Sequence, residues 1–317
     1  MISVMENNKD MENINFYIIE KDFDDESKDI LFSIVEKYGR SLEFIKMPDI
    51  NEYEQLNLVS IKKKWSFDSY CRMFLDDLMP SGIDRVLYLD SDVICNGSLK
   101  ELYQTNIGNN VIGGVTDWIG ERYYRLFNLK PTSHYCNGGV WLIDLRKWRL
   151  MNFKEKVLNF IKEKRGYVFF MEQTTTNCVF EDYIYVLNPR YNVYSMMLYL
   201  SYKELERFRR CPSYYTRDEY DAASKSPILI HMTSSSLIIN RPWIVGSNSP
   251  ANKYFLKYFN ISPWAREGLF PDQRDLKKKV IDSLLLICPR FIKLRVFSYV
   301  YNFIRTRQIK KRQKRII

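Results

Sequence analysis

The chain has 317 residues, 46% of them hydrophobic and 15% aromatic, which suits one large α/β domain with an appendage and excludes an intrinsically disordered protein. Its cysteines (71, 95, 136, 178, 211 and 288) show no paired spacing, which argues against a zinc motif or a disulfide framework and for reduced thiols. The net charge of +10 is uneven: residues 274–317 hold fourteen Lys/Arg against two acids, so the rest of the chain is slightly acidic. The first ten residues lack the basic and apolar runs of a secretory signal, and no window approaches the ~18–20 uninterrupted apolar residues of a membrane span.

The spacing predicts a strand over residues 14–19 and an amphipathic helix from Asp24 to Tyr38, with Ile30, Leu31, Ile34 and Val35 on one face and Gly39 closing it. A second strand covers Leu42 to Ile45. A helix from Ser66 to Leu78 stops at Pro80-Ser-Gly82, and an apolar strand then runs from Arg85 through Asp90-Ser-Asp92 to Ile94. Strands over 111–116 and 138–144 follow; the first delivers Asp117, the second leads into a helix reaching about Lys164. Such alternation reads as a parallel sheet with helices on both faces.

Asp90 and Asp92, one residue apart at the end of a buried strand, can hold a hard divalent cation that screens a nucleotide diphosphate, or can simply cap a turn. Asp117 emerges at the same sheet edge, either to accept hydrogen bonds or to cap its strand. Asn137 with Gly138 and Gly139 lets backbone and amide approach a ligand closely, or forms a tight turn into the next strand. The chain has two histidines, His134 and His231. No role is assigned to His134. His231 follows the apolar run Ile228-Leu-Ile, where a lone histidine is by itself a satisfied core or turn group.

In the tail, residues 280–288 and 291–304 mix aliphatic and aromatic side chains with cations, as in helices that lie in the interface of an anionic bilayer. The closing cluster from Lys310 to Arg315 adds roughly 1 kcal/mol per cation at such a surface. Nucleic acid is the less fitting partner, because apolar residues contribute nothing to phosphate tracking.

Tyr70-Cys-Arg72, Tyr88-Leu-Asp-Ser-Asp92, Asn137-Gly-Gly-Val140, Glu172-Gln173, His231 and Arg241-Pro-Trp243 stand in an order that resembles glycosyltransferase family 8, the bacterial galactosyl- and glucosyltransferases of lipopolysaccharide and capsule assembly. The resemblance covers residues 1–265 and implies an α/β GT-A (Rossmann-like) fold with a mixed, mainly parallel sheet; residues 266–317 are then a basic amphipathic membrane-association tail. It implies retaining, Mn²⁺-dependent transfer of galactose or glucose from a UDP-hexose to a glycan or lipid-linked acceptor, with Mg²⁺ as the alternative cation. It also implies a cytoplasmic protein attached peripherally to the inner face of the cell membrane. On this pattern Asp90, Asp92 and His231 hold the metal, while Arg72, Asp90, Asp117, Asn137, Gly138 and Arg241 contact the donor.

Gln173 corresponds to the family glutamine near the anomeric carbon, with Glu172 beside it. An amide is a poor nucleophile, so front-face substitution is expected, with the amide dipole stabilising the oxocarbenium-like carbon and Glu172 as the fallback nucleophile. Two departures stand out. The loop from Met232 to Asn240 is longer than the family's and leads into Arg241 where the family has lysine, although arginine also binds a diphosphate. The chain also begins at what resembles the end of the family's first helix, so the strand that clamps uracil and ribose is expected upstream or lacking. Residues 190–225, rich in Tyr and Arg, are expected either to wall an acceptor cleft or to be ordinary core and surface. The alternatives are a nucleotidyltransferase on a similar sheet and a non-catalytic remnant that binds membrane or a partner.

Overall fold

The computed structural model describes residues 1–47, 67–211, 214–235, 237–238 and 240–316. A first helix α1 (Ile2–Asn7) is followed by β1 (Asn15–Glu20), α2 (Asp25–Lys37) and β2 (Ser41–Lys46). Asp24 caps α2 by accepting from the Ser27 amide at 2.7 Å, and Gly39 ends it at φ +62°. A 3₁₀ segment (Phe67–Phe74) then runs into α3 (Leu75–Leu78); Ser66, the expected helix start, lies outside the described residues.

The strand expected to end in Asp90 and Asp92 is β3 (Arg85–Leu89), and a further short strand β4 (Val93–Cys95) follows in a different sheet. Asp90, Ser91 and Asp92 make the turn between them. Next come α4 (Lys100–Gln104), β5 (Ile112–Thr116), α5 (Glu121–Phe127) and β6 (Cys136–Asp144). The helix expected to reach Lys164 is broken into α6 (Leu145–Leu150) and α7 (Phe153–Glu163), because Asn152 takes up a left-handed conformation at φ 47° between them. After α8 (Met171–Val179) follow β7 (Ile184–Val186), β8 (Val193–Tyr194), α9 (Ser195–Tyr199), α10 (Tyr202–Arg209), α11 (Arg217–Lys225), β9 (Leu229–His231) and α12 (Asn252–Phe259).

The α/β class with helices on both sides is as expected, and the strand pairing is mixed rather than uniformly parallel. β1 pairs with β2 in parallel; a four-stranded sheet has the order β3-β6-β5-β7, and a three-stranded sheet the order β4-β9-β8. Within the larger sheet β6 is antiparallel to both neighbours. This direction matters for the site. With Leu89 opposite Val140 and Arg85 opposite Asp144, β6 starts beside the end of β3, so Asn137 and Gly138 lie next to Asp90. A parallel β6 would start beside Arg85, about 17 Å away at the usual strand rise. β1 and β3 are each paired on one side only among the described residues.

Two apolar clusters sandwich these strands. One gathers Trp118, Leu142, Val193 and Leu229, and the other Trp141, Ile143, Trp148 and Phe153. Beyond them the chain ends in α13 (Leu276–Ile287), α14 (Arg290–Tyr299), a π-helical stretch (Val300–Arg305) and α15 (Thr306–Ile316). No helix among the described residues is long and apolar enough to cross a membrane.

The tail's second half is folded against the rest of the protein through polar and apolar side chains, with Leu294, Phe297 and Ile309 in the apolar clusters. Ser298, Asn302, Thr306 and Ile309 are buried and recur at helical spacing on one face. Asn302 donates to the Phe208 carbonyl at 2.9 Å, and Tyr123 donates to the Tyr301 carbonyl at 2.9 Å. Several outward positions are apolar among the cations: Leu284 is 60% exposed and Phe291 62% exposed, with Val296, Tyr299 and Ile304 also open to solvent.

Candidate active site

The metal-type residues meet because of strand register. β4 pairs antiparallel with β9 so that Val93 faces His231, and the Met232 amide donates to the Asp92 carbonyl at 2.9 Å. On the other side the Asp90 amide donates to the Gly139 carbonyl at 2.9 Å, which ties the turn to β6. One ligand atom from each of Asp90, Asp92 and His231 lies within 4.8 Å of the other two.

The remaining oxygen of each carboxylate is already committed. Asp90 Oδ1 accepts from Arg72 Nη2 at 2.8 Å and from the Tyr88 hydroxyl at 2.8 Å. Asp92 Oδ2 is ion-paired with Arg241. That leaves Asp90 Oδ2 and Asp92 Oδ1, which lie 3.7 and 3.1 Å from His231 Nε2. Two hard oxygens and one imidazole nitrogen converging in this way fit a divalent cation, and among the described residues these three atoms pair only with one another. Burial alone would raise the Asp92 carboxyl, but the adjoining His231 ring and Arg241 guanidinium outweigh it and bring it down to about 2.

A second group adjoins the first through Arg72. Its guanidinium stacks over the Tyr88 ring at 4.3 Å, donates to the Gly138 carbonyl and lies 3.6 Å from Glu172 Oε1. Burial pushes the Glu172 carboxyl up to about 7, against the opposing pull of Arg72. Gln173 is held from both ends: its Oε1 accepts from the Gly138 amide at 2.9 Å, and its Nε2 donates to Asp117 Oδ2 at 3.1 Å. Both residues open α8, whose entry is strained, with Phe170 at φ 60° and Met171 at φ 45°. Phe170 is covered by the guanidinium of Arg305 from the tail, 4.9 Å from the ring centroid.

All ten candidate residues therefore fall into one connected network. Arg241 sits differently from expectation: its Nη1 is taken up by Asp92 and the Met232 carbonyl rather than left free for a diphosphate. The space that the two glycines open is filled by protein. A Cβ on Gly138 would come 3.2 Å from Arg72 Nη1, and one on Gly139 would collide with the His231 ring. Three contributors were not singled out from the sequence: Tyr88, Asn192 and the Met232 carbonyl. Tyr88 had a signal, since it stands two residues before Asp90 and so on the same side of an extended chain. Asn192 had none.

The sequence profile of Glycosyl transferase family 8 matches residues 1–243. The chain belongs to this family. It is 24% identical over 270 residues to General stress protein A of Bacillus subtilis, covering 84% of this chain and 89% of that protein. It is 27% identical over 281 residues to a lipopolysaccharide 1,2-glucosyltransferase of Escherichia coli, covering 87% and 76%. The structure of the galactosyltransferase LgtC in complex with donor and acceptor sugar analogues superposes with a TM-score of 0.66 at 20% identity, covering 84% of this chain and 92% of that one. The fold is thus GT-A-like, and a family 8 transferase supplies the setting for the Asp90, Asp92 and His231 cluster.

Proposed function

We propose that the protein is a retaining hexosyltransferase that moves galactose or glucose from a UDP-sugar to a glycan or lipid-linked acceptor, depends on a divalent cation of the Mn²⁺ type and works at an anionic membrane surface. The observation that carries this reading is the convergence of three uncommitted ligand atoms beside a glutamine amide fixed from both ends. A divalent cation bound there would neutralise the departing diphosphate.

The chain's own residues do the rest. Arg72 fixes Asp90 and braces Glu172, so the acidic groups keep their places when the donor enters. Asp117 spends Oδ2 on Gln173 and keeps Oδ1 to accept from a sugar hydroxyl. Gln173 Oε1, with one lone pair on the Gly138 amide, keeps the other for positive charge developing at the anomeric carbon. With its carboxyl up at about 7, Glu172 is substantially protonated at neutral pH, which weakens it as a nucleophile and favours front-face substitution.

The tail supports membrane docking. Its inner face packs on the protein through Ser298, Asn302, Thr306, Leu294, Phe297 and Ile309, while Leu284, Phe291, Val296 and Ile304 stay exposed among fourteen cations. The relatives include a glucosyltransferase and the fold neighbours a galactosyltransferase, so both donors are to be tried.

The test is to incubate the protein with UDP-galactose and UDP-glucose, with and without Mn²⁺, and to identify the products. The reading expects Mn²⁺-dependent release of UDP and a product that keeps the donor's α configuration. Pyrophosphate release would instead select a nucleotidyltransferase, and absence of Mn²⁺-dependent UDP binding by calorimetry would select a non-catalytic membrane-binding protein.

A further inference from the structure

One residue of the site carries more bonds than its expected donor contact requires. Asn137 Oδ1 lies 3.0 Å from the Gly139 amide, 3.0 Å from Asn192 Nδ2 and 3.1 Å from His231 Nδ1. A main-chain amide can only donate, so the atom facing Gly139 is the Asn137 oxygen and not its nitrogen. The Asn192 side chain, fully buried, supports the same orientation, since turning either amide over would set like atoms against each other.

An amide oxygen only accepts, so the His231 Nδ1 that faces it carries hydrogen. In the neutral ring Nε2 is then a bare lone pair 3.1 Å from Asp92 Oδ1 and 3.7 Å from Asp90 Oδ2, held there by the Asn137 contact on the far side of the ring and open to a cation between them. Neutral imidazole in water prefers the opposite tautomer, with hydrogen on Nε2. Here that tautomer would donate to Asp92 and close the ligand position.

We propose that Asn137 is a positioning residue for the cation site: its carbonyl oxygen, fixed by the Gly139 amide and Asn192, holds His231 in the Nδ1–H tautomer and keeps Nε2 open as a ligand. The proposal rests on the reading of Asp90, Asp92 and His231 as a cation site. It also limits the donor contact of Asn137 to the amide nitrogen, because three donors already occupy the oxygen.

The test uses the full chain carrying His134→Gln, which leaves His231 as its one histidine. Long-range ¹⁵N–¹H correlation spectra of the neutral ring, recorded without metal or sugar, report which nitrogen bears hydrogen. The proposal expects protonated Nδ1 in this parent and in Asn137→Asp, which keeps the acceptor, and protonated Nε2 in Asn137→Leu. Free Mn²⁺ followed by electron paramagnetic resonance should show affinity retained in Asn137→Asp and lowered roughly ten- to a hundred-fold in Asn137→Leu.

A neutral parent ring with hydrogen on Nε2, or Nδ1–H retained in Asn137→Leu, overturns the assignment. Should Asn137→Leu not fold, the parent and Asn137→Asp spectra decide alone, since hydrogen on Nε2 in either one refutes it. Because the spectra need neither cation nor donor, this outcome is separate from success or failure of the transferase reading.

Discussion

The catalytic end of the sheet and the C-terminal helices use buried polar side chains in opposite ways. At the site, Arg72 bonds Asp90, Arg241 pairs with Asp92 and the Gly138 amide holds Gln173, which leaves one ligand atom each of Asp90, Asp92 and His231 facing a common volume. In the tail, Ser298, Asn302 and Thr306 are satisfied on the inner face, and what remains uncommitted is apolar surface on the outer one. A polar network that closes on itself is rigid; the proposed function places a cation at the open atoms of the first region and a membrane surface at the apolar face of the second.

The sharpest way to break this contrast is to remove the site's uncommitted atoms. Asp90→Asn with Asp92→Asn should lower sugar transfer by about 10³-fold or more, measured as UDP release, because the leaving group loses its electrostatic partner. An unchanged rate would refute the metal assignment.

Glu172 tests the inward side of the site by pH. Its carboxyl holds its proton up to about 7 in the folded protein, where burial outweighs Arg72, but gives it up near 4.3 in the unfolded chain. The folded state therefore binds the extra proton between these values, and the stability it confers is present at low pH and lost as pH rises through about 7. Comparing urea midpoints of wild type and Glu172→Gln from pH 4 to 8 should show a loss of up to roughly 3 kcal/mol in the wild type alone. Asp92 has the opposite sign: it stabilises above the unfolded carboxylate range and is lost as pH falls through about 2. Parallel curves for the two proteins would show that Glu172 titrates normally.

The tail is probed from both of its faces. Leu284→Asp with Phe291→Asp, on the outer face, should weaken binding to anionic lipid vesicles about 10- to 100-fold in co-sedimentation, with folding stability changed by no more than about 0.5 kcal/mol. Asn302→Leu, on the inner face, should cost about 1–2 kcal/mol of stability in urea melts, since the Phe208 carbonyl loses its donor, and should leave vesicle binding intact. A reversal of those two patterns would mean that the faces have been assigned the wrong way round. Simple deletion of residues 274–317 is a poorer test, because it would also uncover Tyr123, Phe170 and the Phe208 carbonyl.

Much of this was legible in the sequence for identifiable reasons. β1, α2, β2, β5 and β6 lie close to where apolar periodicity and caps put them, and the ordered motifs led to family 8. Periodicity does not encode the direction of pairing, so β6 was free to run either way, and with it the neighbourhood of Asn137 and Asp90. The break at Asn152 depends on a left-handed residue that amphipathic spacing does not show. Arg241 was legible as a cation near the site but not as the partner of Asp92, because its long side chain reaches either target. The tail's amphipathic pattern was plain, yet which face meets protein was not: beside Leu294, Phe297 and Ile309 the inward positions include Ser298, Asn302 and Thr306, residues that hydrophobicity assigns to water.

The most direct measurement is anomalous diffraction at the manganese edge from crystals grown with Mn²⁺ and UDP. The account predicts one peak bounded by Asp90 Oδ2, Asp92 Oδ1 and His231 Nε2, and its disappearance in Asp92→Asn. UDP bound with no peak there, or with the metal held by other side chains, would contradict it.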